Sequence, residues 1–145
     1  MIAIGADHGG FDLKEQVKKH LDERNMEYKD FGTFSGEAVD YPIIAKAVGE
    51  AVAKGEAECG ILVCGTGIGM SIAANKVKGI RAACCSDTFS ARFTKMHNNT
   101  NVLCFGGRVL GAGLALDIVD AYLDASFEGG RHEKRVNMIM DIENN

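Results

Sequence analysis

Short apolar runs alternate along this chain with longer stretches in which apolar residues recur every three or four positions. The first run, Ile2–Ala6, is continuous and reads as a buried strand. Phe11–Arg24 follows with Leu13, Val17 and Leu21 at a spacing of four, the mark of an amphipathic helix. Glu27–Phe31 is a weaker strand. Asp40-Tyr41-Pro42 opens a second helix, with Asp40 as its cap and Pro42 in the first turn, where a missing N–H costs nothing. Cys59–Val63 is a strongly apolar third strand, followed by a short helix over Met70–Lys76. Arg81–Cys85 and Asn101–Phe105 are the fourth and fifth strands. Helices are predicted after them at Asp87–His97 and Leu110–Phe127. Glu128-Gly129-Gly130 breaks the chain before a last helix, Arg131–Glu143. Alternating strands and helices predict an α/β fold with a five-stranded parallel sheet covered on both faces. Residues 1–145 read as one domain, with no repeat and no linker.

Composition removes several function classes. The net charge of −4 disfavours a nucleic-acid surface, which wants a basic face. No apolar run approaches the ~18 residues of a membrane span. The start, Met1-Ile2-Ala3-Ile4-Gly5, lacks the charged and apolar regions of a signal peptide. Five cysteines, an odd number without a CxxC spacing, argue against a disulfide framework or a zinc site. They fit a reducing, cytoplasmic setting.

In parallel sheets ligands bind outside the carboxyl ends of the strands. Four of the five strands end there in polar or glycine-rich segments: Asp7-His8-Gly9-Gly10, Cys64-Gly65-Thr66-Gly67, Ser86-Asp87 and Gly106-Gly107-Arg108. The loop Cys64-Gly65-Thr66-Gly67-Ile68-Gly69 stands out. Its glycines permit positive φ and close approach of a ligand, and its N–H groups open a helix, which favours anions. A thiol placed there is biased toward thiolate; the plainer alternative is a small core residue, which suits Cys59, Cys84, Cys85 and Cys104. A dinucleotide fingerprint fails because position 70 is Met70, and no Gly-Lys-Ser/Thr follows for a nucleotide phosphate loop. Met70 also stands where a cysteine phosphatase would need Arg.

Five segments in order carry a resemblance that covers essentially the whole chain: Gly5-Ala6-Asp7-His8-Gly9-Gly10, Asp40-Tyr41-Pro42, Cys64-Gly65-Thr66-Gly67-Ile68-Gly69, Ala73-Ala74-Asn75-Lys76 and Met96-His97-Asn98-Asn99. The chain resembles the type B ribose-5-phosphate isomerases, a family that also holds galactose-6-phosphate and allose-6-phosphate isomerases. The resemblance implies a Rossmann-like three-layer sandwich, aldose–ketose isomerisation of a small sugar phosphate through an enediolate, and no metal or organic cofactor. It implies Cys64 as the proton-abstracting base and His97 as the ring-opening acid. Asp7, His8, Tyr41 and the loop Gly65, Thr66, Gly67, Ile68 and Gly69 fall at substrate-binding positions, as do Asn98, Arg108, Arg131 and Arg135. One branch of the family uses a Glu where this chain has Met70; with Cys64 present, the thiolate branch applies. It further implies a homodimer or homotetramer with sites shared between chains.

The residue types suit that chemistry. Histidine titrates near neutral pH, as ring opening requires. Thr66 is the loop's one hydroxyl and is a candidate proton relay between the substrate oxygens. Arg131 and Arg135, four apart, share one helix face and can reach one dianion; a solvated charged face is the alternative. For Asp7 the alternative is a turn residue, and for His97 a surface one. Val136, Ile139, Met140 and Ile142 form an apolar stripe that either docks on its own sheet or crosses to a partner, so the last helix is the expected dimerisation element. The leading function is isomerisation of ribose 5-phosphate to ribulose 5-phosphate. A six-carbon sugar phosphate isomerase and a non-catalytic sugar-phosphate sensor are the alternatives.

Overall fold

A computed structural model describes residues 1–144. Five strands, β1 (Ile2–Ala6), β2 (Tyr28–Asp30), β3 (Cys59–Cys64), β4 (Ala82–Cys84) and β5 (Val102–Gly106), pair parallel in the order β2-β1-β3-β5-β4. Six helices accompany them: α1 (Phe11–Glu23), α2 (Tyr41–Ala53), α3 (Ile68–Ala74), α4 (Thr88–Asn98), α5 (Ala112–Leu123) and α6 (Arg131–Ile142). The strand order reverses direction between β1 and β3. That switch point is where a parallel sheet opens a crevice at its carboxyl rim.

Side-chain alternation on β3 splits the core into two layers. Cys59, Ile61 and Val63 face one side with Leu13, Val17 and Leu21 of α1 and Ile118, Val119 and Tyr122 of α5. Leu62 and Cys64 face the other with Ile44, Val48 and Val52 of α2 and Met70 and Ala74 of α3. The result is the expected three-layer sandwich. Among the described residues no helix is long and apolar enough to cross a membrane.

Several boundaries differ from the sequence reading for local reasons. α3 begins at Ile68, not Met70, because Gly67 takes a left-handed conformation (φ 83°) and starts the helix there. α5 ends at Leu123, well short of Phe127. Beyond it the Glu128 N–H donates to the Met96 carbonyl (3.0 Å), which pins the segment to α4 and forbids further helix. Asp40 sits at the start of α2 but caps it with no side-chain bond; only its carbonyl accepts, from Ile43 N–H at 3.2 Å.

One buried ion pair holds the chain that leads to α2. Lys14 on α1 is fully buried, and its Nζ donates to both carboxylate oxygens of Asp30 (2.8 and 2.7 Å) and to the Thr33 carbonyl. Lys18 adds a second contact to Asp30 at 2.9 Å. Burial pushes the Asp30 carboxyl up, but Lys14, the Gly32 N–H and Lys18 outweigh it and bring it below its ordinary value of 3.8. The stabilisation from this carboxylate is therefore present above that value and is lost as pH falls below it. Lys14→Met removes the cation and leaves a half-buried carboxylate. It is expected to destabilise the protein by about 3 kcal/mol, the low end for breaking a buried pair because Lys18 remains. Urea unfolding at pH 7 checks this; an unchanged midpoint would contradict it.

Candidate active site

Three loops meet at the carboxyl rim, and glycines let their backbones touch. A Cβ on Gly9 would lie 3.0 Å from Gly65 N, one on Gly106 2.7 Å from Gly65 O, and one on Gly107 2.6 Å from Gly9 O. Hydrogen bonds lock the contact: Gly107 N–H donates to Cys64 O (2.8 Å) and Arg108 N–H to Gly65 O (3.0 Å). The fourth expected rim segment does something else. Asp87 accepts from the Ser90 N–H at 2.6 Å and caps α4.

Cys64 ends β3 with only 5% of its surface exposed. Its Sγ accepts a hydrogen bond from the Gly67 N–H at 3.0 Å. Gly67 must be glycine: its φ is positive, and a Cβ there would lie 2.7 Å from the Phe105 backbone. α3 is seven residues long, so local N–H donors, more than an extended helix dipole, give the loop its preference for negative charge. The other cysteines differ. Burial pushes the thiols of Cys59, Cys84 and Cys104 up, and that of Cys85 to about 11. Cys84 donates to the Thr66 carbonyl (3.6 Å). Of the five cysteines, only Cys64 receives an N–H at sulfur among the described residues.

The remaining loop groups surround this thiol. Thr66 is exposed, and its Oγ1 accepts from the Ile68 N–H (3.2 Å), which leaves its O–H free to donate. The N–H groups of Gly65, Thr66 and Gly69 take no partner among the described residues. Asp7 serves its own turn: Oδ1 accepts from Gly9 N–H (2.9 Å) and Gly10 N–H (3.2 Å), and Oδ2 stays uncommitted. His8 is exposed, and its Nδ1 accepts from Val39 N–H at 3.4 Å. Tyr41 lays its ring on Gly69, where a Cβ would lie 2.5 Å from a ring carbon. Ile68 is exposed at the mouth, and Arg108 covers Gly65, with Nη1 3.5 Å from where a Gly65 Cβ would be. Asp7, His8, Tyr41, the loop and Arg108 thus form one site.

His97, Asn98, Arg131 and Arg135 do not join it. α4 starts just beyond the carboxyl end of β4 and runs back antiparallel to the strands. Its eleven residues span about 16 Å, so His97 and Asn98 sit by the amino end of β5, at the opposite rim from Cys64. There His97 stacks on His132 of α6 (ring centroids 4.0 Å apart, planes within 8°). Glu128 Oε2 lies 3.7 Å from His97 Nε2 and 3.6 Å from His132 Nε2. Burial, then His97 and Arg131, hold His132 below its ordinary 6.5. Sequence reasoning missed Glu128 and His132: one lay in a chain break and the other in a charged run, and only the packing of α6 on α4 unites them. Arg131 and Arg135 are exposed on α6. Val136 of the expected stripe docks and Met140 is half-buried, but Ile139 and Ile142 stay 47% and 69% exposed.

The ribose/galactose isomerase family model matches residues 2–139. Ribose-5-phosphate isomerase B of Escherichia coli (strain K12) is 56% identical over 98% of this chain and 95% of its own length. The D-erythrulose-4-phosphate isomerase of Pectobacterium atrosepticum is 45% identical over 95% of this chain and 91% of its own. The solved structure of Clostridium thermocellum ribose-5-phosphate isomerase B superposes with a TM-score of 0.97 at 53% identity, covering 99% of this chain and 97% of that one.

Proposed function

This chain belongs to the ribose/galactose isomerase family, and we infer that it is an aldose–ketose isomerase that interconverts D-ribose 5-phosphate and D-ribulose 5-phosphate. The observation that carries the mechanism is the Gly67 N–H directed at Cys64 Sγ. An N–H donor aimed at sulfur stabilises the negative charge that a proton-abstracting sulfur carries.

The chemistry runs as follows. His97 donates a proton to the ring oxygen O4 while the C1 hydroxyl gives its proton to water, so that the C1–O4 bond breaks and the open-chain aldehyde forms. The Cys64 thiolate takes the C2 proton and becomes a neutral thiol. Negative charge moves to the substrate oxygen, where the free N–H groups of Gly65, Thr66 and Gly69 receive it. Donors of this kind are worth about 3–4 kcal/mol each in the transition state. Thr66 O–H shuttles a proton between the O1 and O2 oxygens, and Cys64 returns its proton to C1. Asp7 Oδ2, His8, Tyr41 and Ile68 bound the sugar. Arg108, Arg131 and Arg135 supply the charge for the phosphate and Asn98 a hydroxyl contact. No step calls for a cofactor.

Cys64 and His97 lie at opposite rims of one chain, so this mechanism needs a second copy. We assign the sites to a homodimer, or a dimer of dimers, in which His97, Asn98, Arg131 and Arg135 of one chain face Cys64 of the other. The exposed Ile139 and Ile142 on α6, with Phe89 of α4 at 63% exposure, support an interface on this side. Five free cysteines suit a cytoplasmic enzyme.

Ketose formation from ribose 5-phosphate, allose 6-phosphate and galactose 6-phosphate, assayed side by side, tests the reading. The ribose ester is expected to give the highest kcat/KM. The same assay on Thr66→Ala is expected to show kcat reduced by about 100-fold, the low end for a positioned proton-transfer group. An unchanged kcat would take Thr66 out of the mechanism. No ketose from any sugar would favour a binding protein that senses sugar phosphates.

A further inference from the structure

The cluster of His97, Glu128 and His132 has a use that the isomerase reaction does not call on. Two imidazoles and one carboxylate, from α4, the α5–α6 connection and the start of α6, place one ligand atom each within 4.8 Å of one another. Both Nε2 atoms face the same Glu128 oxygen, at 3.7 and 3.6 Å. Ligand atoms around a tetrahedral zinc ion, with bonds near 2.0–2.1 Å, stand ~3.3 Å apart. We propose that His97, Glu128 and His132 bind a zinc-class divalent cation, with two imidazole nitrogens and one carboxylate oxygen as ligands and a fourth position open to water.

Several features support this set. Two nitrogens and one oxygen are the ligands of many open zinc sites, and borderline cations of this class prefer imidazole. His132, in its neutral form, has a lone pair to give. It is also buried, so one ligand is fixed in place, whereas Glu128 is exposed and His97 one-third exposed. Stacked rings do not aim both lone pairs at one point, so the His97 ring turns out of the stack as the ion enters. Arg131 and Arg135 both lower His132 electrostatically and so oppose a cation. Affinity is therefore expected in the micromolar range, well short of a structural zinc site.

A bound ion occupies His97 Nε2. Given the ring-opening role proposed above for His97, zinc is then an inhibitor competing with proton transfer. Binding and inhibition are read separately. Calorimetric titration with zinc, and cobalt(II) titration followed by visible absorption, read the metal alone. One ion per chain is expected. His132→Gln and Glu128→Gln should each weaken binding more than about tenfold, with Cys84→Ser, which removes the exposed thiol, without effect. Unchanged binding in both of the first two variants, loss of binding in Cys84→Ser, or no binding at millimolar zinc would overturn the site. Chelator-reversible inhibition of ribose 5-phosphate turnover, weaker in His132→Gln, is the expected functional consequence. Binding without inhibition supports the site and speaks against the role of His97.

Discussion

Cys64→Ala and His97→Ala chains, each nearly inactive on ribose 5-phosphate alone, are expected to recover about one quarter of the wild-type rate when equal amounts are unfolded together and refolded. The figure follows from symmetry. In a two-fold dimer with shared sites, random pairing makes half of the dimers hybrid, and each hybrid has one site free of both substitutions. The opposite-rim placement of the two residues is what demands this outcome. Losing a positioned acid costs roughly 10²–10⁴ in rate, so the background of either variant is small beside the recovered activity. D-Erythrose 4-phosphate supplies a control for His97→Ala. Its O4 is esterified, so it forms no furanose ring and needs no ring-opening acid. His97→Ala is expected to process it nearly as well as wild type, which separates a missing proton donor from a misfolded chain. Failure of mixed chains to regain any activity on ribose 5-phosphate would place each site within one chain.

Much of this site was legible before the fold. The run Ile61-Leu62-Val63 ending at Cys64 marks a buried strand, and glycines at 65, 67 and 69 mark a loop that must come close to something. What they approach was not legible: Phe105 for Gly67 and the Tyr41 ring for Gly69 are neighbours only through tertiary packing. Asp7 shows the limit of composition. A turn role and a substrate role both predict an aspartate before two glycines, and the structure gives Oδ1 to the turn while leaving Oδ2 uncommitted. The position of His97 relative to the sheet follows from the alternation of strands and helices. A helix that returns antiparallel must end at the amino edge of the sheet. The His97–His132 stack had no sequence signal, because 34 intervening positions in the chain separate two residues joined only by the docking of α6 on α4. The ends of α3 and α5 differ for opposite reasons: the glycines at 67 and 69 read as loop, so α3 starts two residues earlier than expected, whereas apolar residues continue past the point where the Glu128–Met96 bond ends α5.

The largest single loss is expected at Cys64. Alanine removes the base but leaves Asp7, the loop N–H groups and the arginines in place, so kcat should fall by about 10³-fold or more while KM stays close to wild type. Cys64→Ser keeps the shape and a polar atom, yet a hydroxyl is not ionised at neutral pH. It is expected to be almost as impaired as alanine. That pattern distinguishes a thiolate base from a cysteine that merely fills the end of β3. The bland role predicts the reverse, with serine close to wild type and both variants altered chiefly in stability.

The central claim, that Cys64 moves the C2 proton, is tested most directly by NMR of ribose 5-phosphate in deuterium oxide, with wild type and Cys64→Ala compared. Wild type is expected to form ribulose 5-phosphate and to bring solvent deuterium into the carbon positions that exchange, whereas Cys64→Ala forms no ketose on that timescale and leaves the C2 hydrogen in place. Ketose formation and C2 exchange at the wild-type rate in Cys64→Ala would contradict the account.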